Sequence, residues 1–189
     1  MKESGTRGRW VAGGKSLLGD LAVGALVALV VLGAMQWIQR RGQRGGGGVL
    51  TVGAEAPAFE LTDLRTSERL GLADLRGAPV ILNFWATWCG PCVRELPDME
   101  ALHRESAGRY HVVSVVSEQP AVVRPVVARK HLTMPVLGDL SGRTFGAYRV
   151  ERLPTTVILD REGRIVHDFT GAADPDILRE HMARLATAP

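Results

Sequence analysis

Cysteine is scarce in this chain: 189 residues contain two, Cys89 and Cys92. Two cysteines cannot build the multi-bridge framework on which small secreted domains depend. A loop closed over so short a spacing also constrains little of the unfolded chain, so a structural staple is excluded. A zinc site built on the pair would need two more Cys or His ligands, normally at a similar short spacing. The five histidines (His103, His111, His131, His167, His181) are scattered and offer no such spacing, so no metal is expected. Aromatic residues make up only 5%, and no Lys/Arg-rich face interleaved with them follows the N-terminal region, which argues against nucleic acid as a partner. There is no internal repeat, and the one low-complexity stretch is a run of four glycines.

An apolar content of 46% is enough for a packed core, and the length leaves room for one ordinary domain plus something extra. The net charge of +3 is unevenly placed: residues 1–48 carry +5 and the remainder −2. The basic balance therefore belongs to the N-terminal region. Residues 1–16 read as a short basic segment. From Leu21 to Ile38 the chain is apolar apart from Gln36 and the Trp37 indole, and with Leu17 and Leu18 it reaches the ~20 residues that cross a bilayer. Residues 17–38 are thus expected to be a transmembrane anchor, with Trp37 in the interfacial belt. Leu32-Gly33-Ala34 is a poor cleavage site, which favours retention over removal as a signal peptide. Basic residues flank the segment on both sides, so charge alone barely orients it. Residues 39–48, rich in Arg and Gly, read as a flexible linker, and a folded domain is expected over 49–189.

Within the domain, hydrophobic patterns alternate in type. Pro79 to Trp85 and His111 to Ser117 read as buried strands, and Thr155 to Asp160 with Arg164 to Phe169 as a hairpin turning at Arg161-Glu162-Gly163. A helix is expected from Cys89, with Val93, Leu96, Met99 and Leu102 on one face and a kink at Pro97. A second is expected over Ala121 to His131, its start limited by Pro125. A third runs from Asp174 to Leu185, with Asp174 as N-cap and Pro175 at the first position. This order implies an α/β sandwich around a mixed central sheet.

A Cys-x-x-Cys that opens a helix after a buried strand has a specific chemistry. Free N–H groups and the positive end of the helix dipole converge on the first sulfur, favouring thiolate over thiol. Cys89 is therefore expected to be the exposed nucleophile and Cys92, one turn further in, the buried resolving thiol. Pro91 suits the first turn, and Gly90 is expected to let the backbone turn while keeping bulk away from the sulfur.

Phe84-Trp85-Ala86-Thr87-Trp88-Cys89-Gly90-Pro91-Cys92 resembles the active-site signature of the thioredoxin superfamily. Val52 to Leu61 resembles the N-terminal extension shared by peroxiredoxins and TlpA/ResA-like reductases, and Val150 to Thr156 resembles the cis-proline loop of the latter. Together with the anchor, residues 52–187 are similar to membrane-tethered TlpA/ResA/DsbE-like thiol–disulfide oxidoreductases. That resemblance implies a thioredoxin-like fold and a reductase of protein disulfides cycling through Cys89 and Cys92, with no other cofactor. It implies further that Leu153-Pro154 is a cis bond beside the cysteines, with the Leu153 backbone free to pair with an extended substrate. Trp88 is expected to form an exposed platform for substrate, while Trp85 goes to the core. The resemblance also implies an electron donor with membrane thiols, a monomer, and a domain outside the cytoplasm with the N-terminus inside.

Two departures from family patterns matter. Asn83 stands where cytoplasmic thioredoxins carry a titrating aspartate; TlpA/ResA-like proteins instead carry a glutamate where Glu95 stands. Glu95 is three residues after Cys92, on the same helical face, so burial should raise its pKa and let it shuttle the Cys92 proton. Thr155 follows the cis-proline where cytochrome-c-maturation members often carry Glu, which bears on haem-apoprotein substrates. A disulfide oxidase or isomerase is the nearest alternative. Peroxide reduction is disfavoured because Ala86 occupies the place of the peroxidatic threonine. A redox-inactive binding or chaperone module would not need both cysteines.

Overall fold

The computed structural model describes residues 50–187, so the expected anchor, the linker and the orientation of the N-terminus lie outside the described residues. Among the described residues no helix is long and apolar enough to cross a membrane. Seven strands form one mixed sheet: β1 (Glu60–Asp63), β2 (Arg69–Gly71), β3 (Val80–Trp85), β4 (His111–Val116), β5 (Val136–Gly138), β6 (Thr155–Leu159) and β7 (Ile165–Thr170). Their spatial order is β2-β1-β5-β4-β3-β6-β7, with β3, β4 and β5 mutually parallel and the other pairings antiparallel. Among the described residues four α-helices accompany it: α1 (Gly90–Ser106), α2 (Pro120–Arg129), α3 (Arg143–Ala147) and α4 (Pro175–Thr187). The result is a thioredoxin-like α/β fold.

Period-two alternation in the central strands explains both layers. On β3, Ile81 and Trp85 enter the core beneath α1, α2 and α4, together with Leu96, Met99, Val123 and Met182. Val80, Leu82 and Phe84 enter the opposite core with Phe59, Leu72 and Tyr148. Asn83 shares the face of Ile81 and Trp85, so its amide is buried on the side of α1.

The expected hairpin is present as β6 and β7. Asp160 Oδ1 accepts the N–H groups of Glu162 (3.0 Å) and Arg164 (2.7 Å), and Gly163 turns with a φ of 79°. Asp174 caps α4 as expected, accepting Asp176 N–H at 2.8 Å. One expectation needs correction. Helix α2 starts at Pro120 and runs through Pro125, because Pro120 itself occupies the first turn. Pro97 lies inside α1, as expected, and the helix runs on to Ser106.

The short strands β1, β2 and β5 and the helix α3 extend the sheet and cover its second face beyond the sequence expectation. One glycine there leaves room for a neighbour: a Cβ on Gly138 would meet Leu64 Cδ2 at 2.8 Å, so a larger residue in β5 would make the Leu64 side chain move.

Glu100 ties α1 to the start of β5. Its carboxylate accepts Thr133 N–H (2.7 Å), Thr133 Oγ1–H (2.5 Å), Met134 N–H (3.1 Å) and Arg104 Nε–H (2.8 Å). Burial pushes its pKa up, but the Thr133 hydroxyl, the Met134 and Thr133 amides and Arg104 outweigh it and hold the carboxyl below its ordinary range. A depressed folded-state pKa gives stability that is full above the unfolded value and lost as pH falls through the folded one. Glu100→Gln is therefore expected to lower unfolding free energy by about 2 kcal/mol at neutral pH. Urea titrations should show that gap closing at acid pH; a gap independent of pH would contradict the assignment.

Candidate functional site

Strand β3 delivers the chain to the C-terminal end of the parallel strands, where Ala86-Thr87-Trp88 turns it into α1. Glu118, just past β4, holds that turn. Its Oε2 accepts Thr87 N–H at 2.6 Å and its Oε1 accepts Thr87 Oγ1–H at 2.7 Å. Cys89 is the N-cap of α1 and is disulfide-bonded to Cys92, with Cα atoms 5.3 Å apart. Cys92 N–H donates to Cys89 Sγ at 3.3 Å, so a first-turn amide of the helix points at the sulfur that the sequence suggests as nucleophile.

The exposures qualify that expectation. Cys89 is 6% exposed and Cys92 1%, so the order is as expected but Cys89 is recessed, not open. It sits in the wall of a groove of about 730 Å³ that also contains Trp88, Gly90, Pro91, Phe145, Leu153 and Glu118. Trp88 stands 74% exposed on the rim, while Trp85 is fully buried. Gly90 needs a second correction: its backbone is helical, and a Cβ there would meet only the Arg94 guanidinium at 3.5 Å. Its contribution is the absence of a side chain beside the sulfur, not a special turn.

Leu153-Pro154 is a cis peptide bond, as the resemblance implies. Pro154 O accepts Gly171 N–H at 2.8 Å, and two residues on, Ala173 N–H donates to Glu95 Oε1 at 3.0 Å. The loop between β7 and α4 thus connects the cis-proline to the cysteine-bearing helix. Glu95 is 5% exposed, and its Oε2 has no hydrogen-bond partner among the described residues. Burial pushes its pKa above the ordinary carboxylate value. The Ala173 amide and the neighbouring Asn83 amide oppose that shift, and the negative charge of Asp98 adds to it. Asn83 itself donates to Thr156 Oγ1 at 3.0 Å. Glu95 follows Cys92 by one turn of the same face, which sets Cβ atoms about 5–6 Å apart. A buried carboxyl with a free oxygen therefore sits on the thiol's side of the helix.

Sequence reasoning missed Glu118, Phe145 and Ala173. Only Glu118 left a trace, as the first acidic residue after a buried strand ending beside β3. Among the described residues no group of three or more His, Cys, Asp or Glu is placed to hold a metal ion.

A dithiol/disulfide pair at a helix N-terminus, after the central strand of this sheet and beside a cis-proline loop, defines a thioredoxin-like thiol–disulfide protein. Comparison with known proteins agrees. Residues 52–168 match the AhpC/TSA family. Thiol-disulfide oxidoreductase ResA of Geobacillus kaustophilus (strain HTA426) is 37% identical over 135 residues, 70% of this chain and 77% of that protein. The crystal structure of the exposed lipoprotein thioredoxin Etrx1 of Streptococcus pneumoniae strain TIGR4 is 30% identical, with a TM-score of 0.63, covering 68% of this chain and 99% of that one. A structure assigned as the thiol:disulfide interchange protein DsbE of Chlorobium tepidum is 28% identical with a TM-score of 0.68, covering 72% and 99%. The chain belongs to the AhpC/TSA family and, within it, to the ResA-type thiol–disulfide oxidoreductases. Its redox group is a cysteine pair, and its substrates are proteins.

Proposed function

We propose that this oxidoreductase works as a reductase of protein disulfides outside the cytoplasm, tethered by residues 17–38 with the N-terminus inside. The observation that carries the reading is the disulfide at the head of α1, recessed in a groove between Trp88 and the cis Leu153-Pro154 bond, with buried Glu95 behind it.

In the reduced protein the Cys89 thiolate attacks one sulfur of a substrate disulfide and expels the other as thiolate, leaving a mixed disulfide. Glu95 takes the proton of Cys92, whose thiolate then attacks Cys89 Sγ and releases the second substrate sulfur. The substrate gains two electrons and the chain ends as the Cys89–Cys92 disulfide. A dithiol on another membrane protein resets it. Trp88, Gly90 and Pro91 form one side of the substrate seat. The Leu153 backbone, presented by the cis bond at Pro154, pairs with an extended substrate segment on the other. Apocytochrome c is one candidate substrate, although Thr155 gives it no acidic residue after the cis-proline; other envelope disulfide proteins fit the same groove. Similarity to an exposed lipoprotein thioredoxin supports the extracytoplasmic side.

Direction is tested by alkylating free thiols in intact cells. A reductase is held mainly as the Cys89/Cys92 dithiol, whereas a chain found mainly as disulfide would be an oxidase. A reporter joined after residue 48 and active only in the cytoplasm would overturn the topology.

A further inference from the structure

A second groove, about 530 Å³, lies away from the cysteines where the C-terminal turns of α1 and α2 meet the turn after β1. Arg104 on its wall is roughly 20 Å along α1 from Gly90 at about 1.5 Å per residue. The floor is apolar, from Leu64, Val127 and Leu132, and three arginines from three different elements stand around it.

Each guanidinium is fixed by a main-chain carbonyl. Arg65 Nη1–H donates to Thr133 O at 2.6 Å, Arg104 Nη2–H to His131 O at 3.4 Å and Arg124 Nε–H to Leu64 O at 3.0 Å. The two acids nearby are buried and engaged. Asp63 Oδ1 accepts the N–H groups of Arg65 and Val136, while its Oδ2 lies 3.8 Å from Arg65. Glu100 is taken up by Thr133, Met134 and Arg104. Arg124 makes no ion pair among the described residues, and its Nη1 and Nη2 have no hydrogen-bond partner there. From residue 119 to 138 the chain has Arg124, Arg129 and Lys130 and no acidic residue, although residues 49–189 as a whole carry −2. A positive groove on a domain of slightly negative charge is a local feature, independent of the overall balance.

We propose that this groove docks a peptide segment of a protein partner in which carboxylates alternate with aliphatic side chains. The Arg124 fork, held at Nε with its terminal amino groups free, suits end-on bidentate binding of a carboxylate. The apolar floor between the arginines suits the aliphatic side chains, since pockets of this kind bury apolar surface and use a few fixed polar groups for orientation. The apolar floor of Leu64, Val127 and Leu132 gives a peptide's aliphatic side chains a surface to cover that polar lipid headgroups would not use, which favours the peptide over a headgroup layer. The groove is separate from Cys89, so a partner bound there leaves the redox site open to substrate and positions the enzyme without blocking it.

The test uses the full-length chain in neutral detergent micelles and fluorescence anisotropy of a labelled octapeptide of alternating Glu and Leu. Binding is expected, weakening with salt, and an alternating Lys/Leu peptide should not bind. R65Q/R124Q is expected to weaken binding about tenfold, close to 1.4 kcal/mol. Insulin reduction should be the same for the variant and the wild type, with or without peptide. If the double variant loses insulin reduction through misfolding, Arg124→Gln, which breaks only the bond to Leu64 O, is measured in its place. Equal affinity in wild type and variant would overturn the proposal. So would binding of glycerophosphoglycerol, an anionic lipid headgroup, without binding of the peptide.

Discussion

Cys92→Ala is expected to convert the enzyme from a catalyst into a trap. Cys89, at the N-cap of α1 with the Cys92 amide 3.3 Å from its sulfur, keeps the environment that favours thiolate. It should therefore still attack a substrate disulfide, because that step does not use Cys92. Release does use it: the resolving thiol is one turn away on the same helix, in position to bond Cys89 Sγ, and the variant lacks it. Mixed disulfides should accumulate in membranes from cells expressing the variant and disappear on reduction with dithiothreitol. Sequencing the captured proteins would name the substrates. Cys89→Ser, which keeps Cys92, should capture nothing; capture by it would make Cys92 the attacking thiol.

Glu95→Gln is expected to separate catalysis from stability. The folded-state pKa of Glu95 is raised, chiefly by burial. Between its ordinary value and that raised value, the folded chain keeps a proton the unfolded chain has lost, so stability falls as pH rises through the window. Above the window the full cost of a buried charge is present. Glutamine keeps an oxygen for Ala173 N–H and carries no charge, so the variant should be more stable than wild type at neutral to alkaline pH and should lose that decline. Its mixed disulfide should resolve on the order of 100-fold more slowly at neutral pH, the usual scale for loss of a positioned proton acceptor. The deficit should shrink at high pH, where Cys92 ionises unaided. A pH–rate profile identical to wild type would reduce Glu95 to a structural bond with Ala173.

The two residues also show what was legible in sequence. Cys89, Cys92 and Glu95 lie within seven positions on one helix, so their spacing alone places them on a common face. Their partners come from far along the chain. Ala173 is 78 positions from Glu95 and Thr156 is 73 from Asn83, joined only because the loop after β7 meets α1 and β6 pairs with β3. No local pattern encodes such a contact. The central strands were readable because they are buried on both faces and appear as continuous apolar runs. Strands β1, β2 and β5 have three or four residues each, with exposed positions among them in β1 and β2, and they exist as strands only through their neighbours. The recessed position of Cys89 has the same origin. Its cover comes from groove walls contributed by residues 145–153, more than fifty positions away.

The most direct measurement is reduction of insulin by wild type and by Cys89→Ser, with dithiothreitol as electron donor. Turnover above the dithiothreitol background is expected from the wild type and none from the variant. Equal turnover by both proteins would contradict a redox role for the pair at the head of α1.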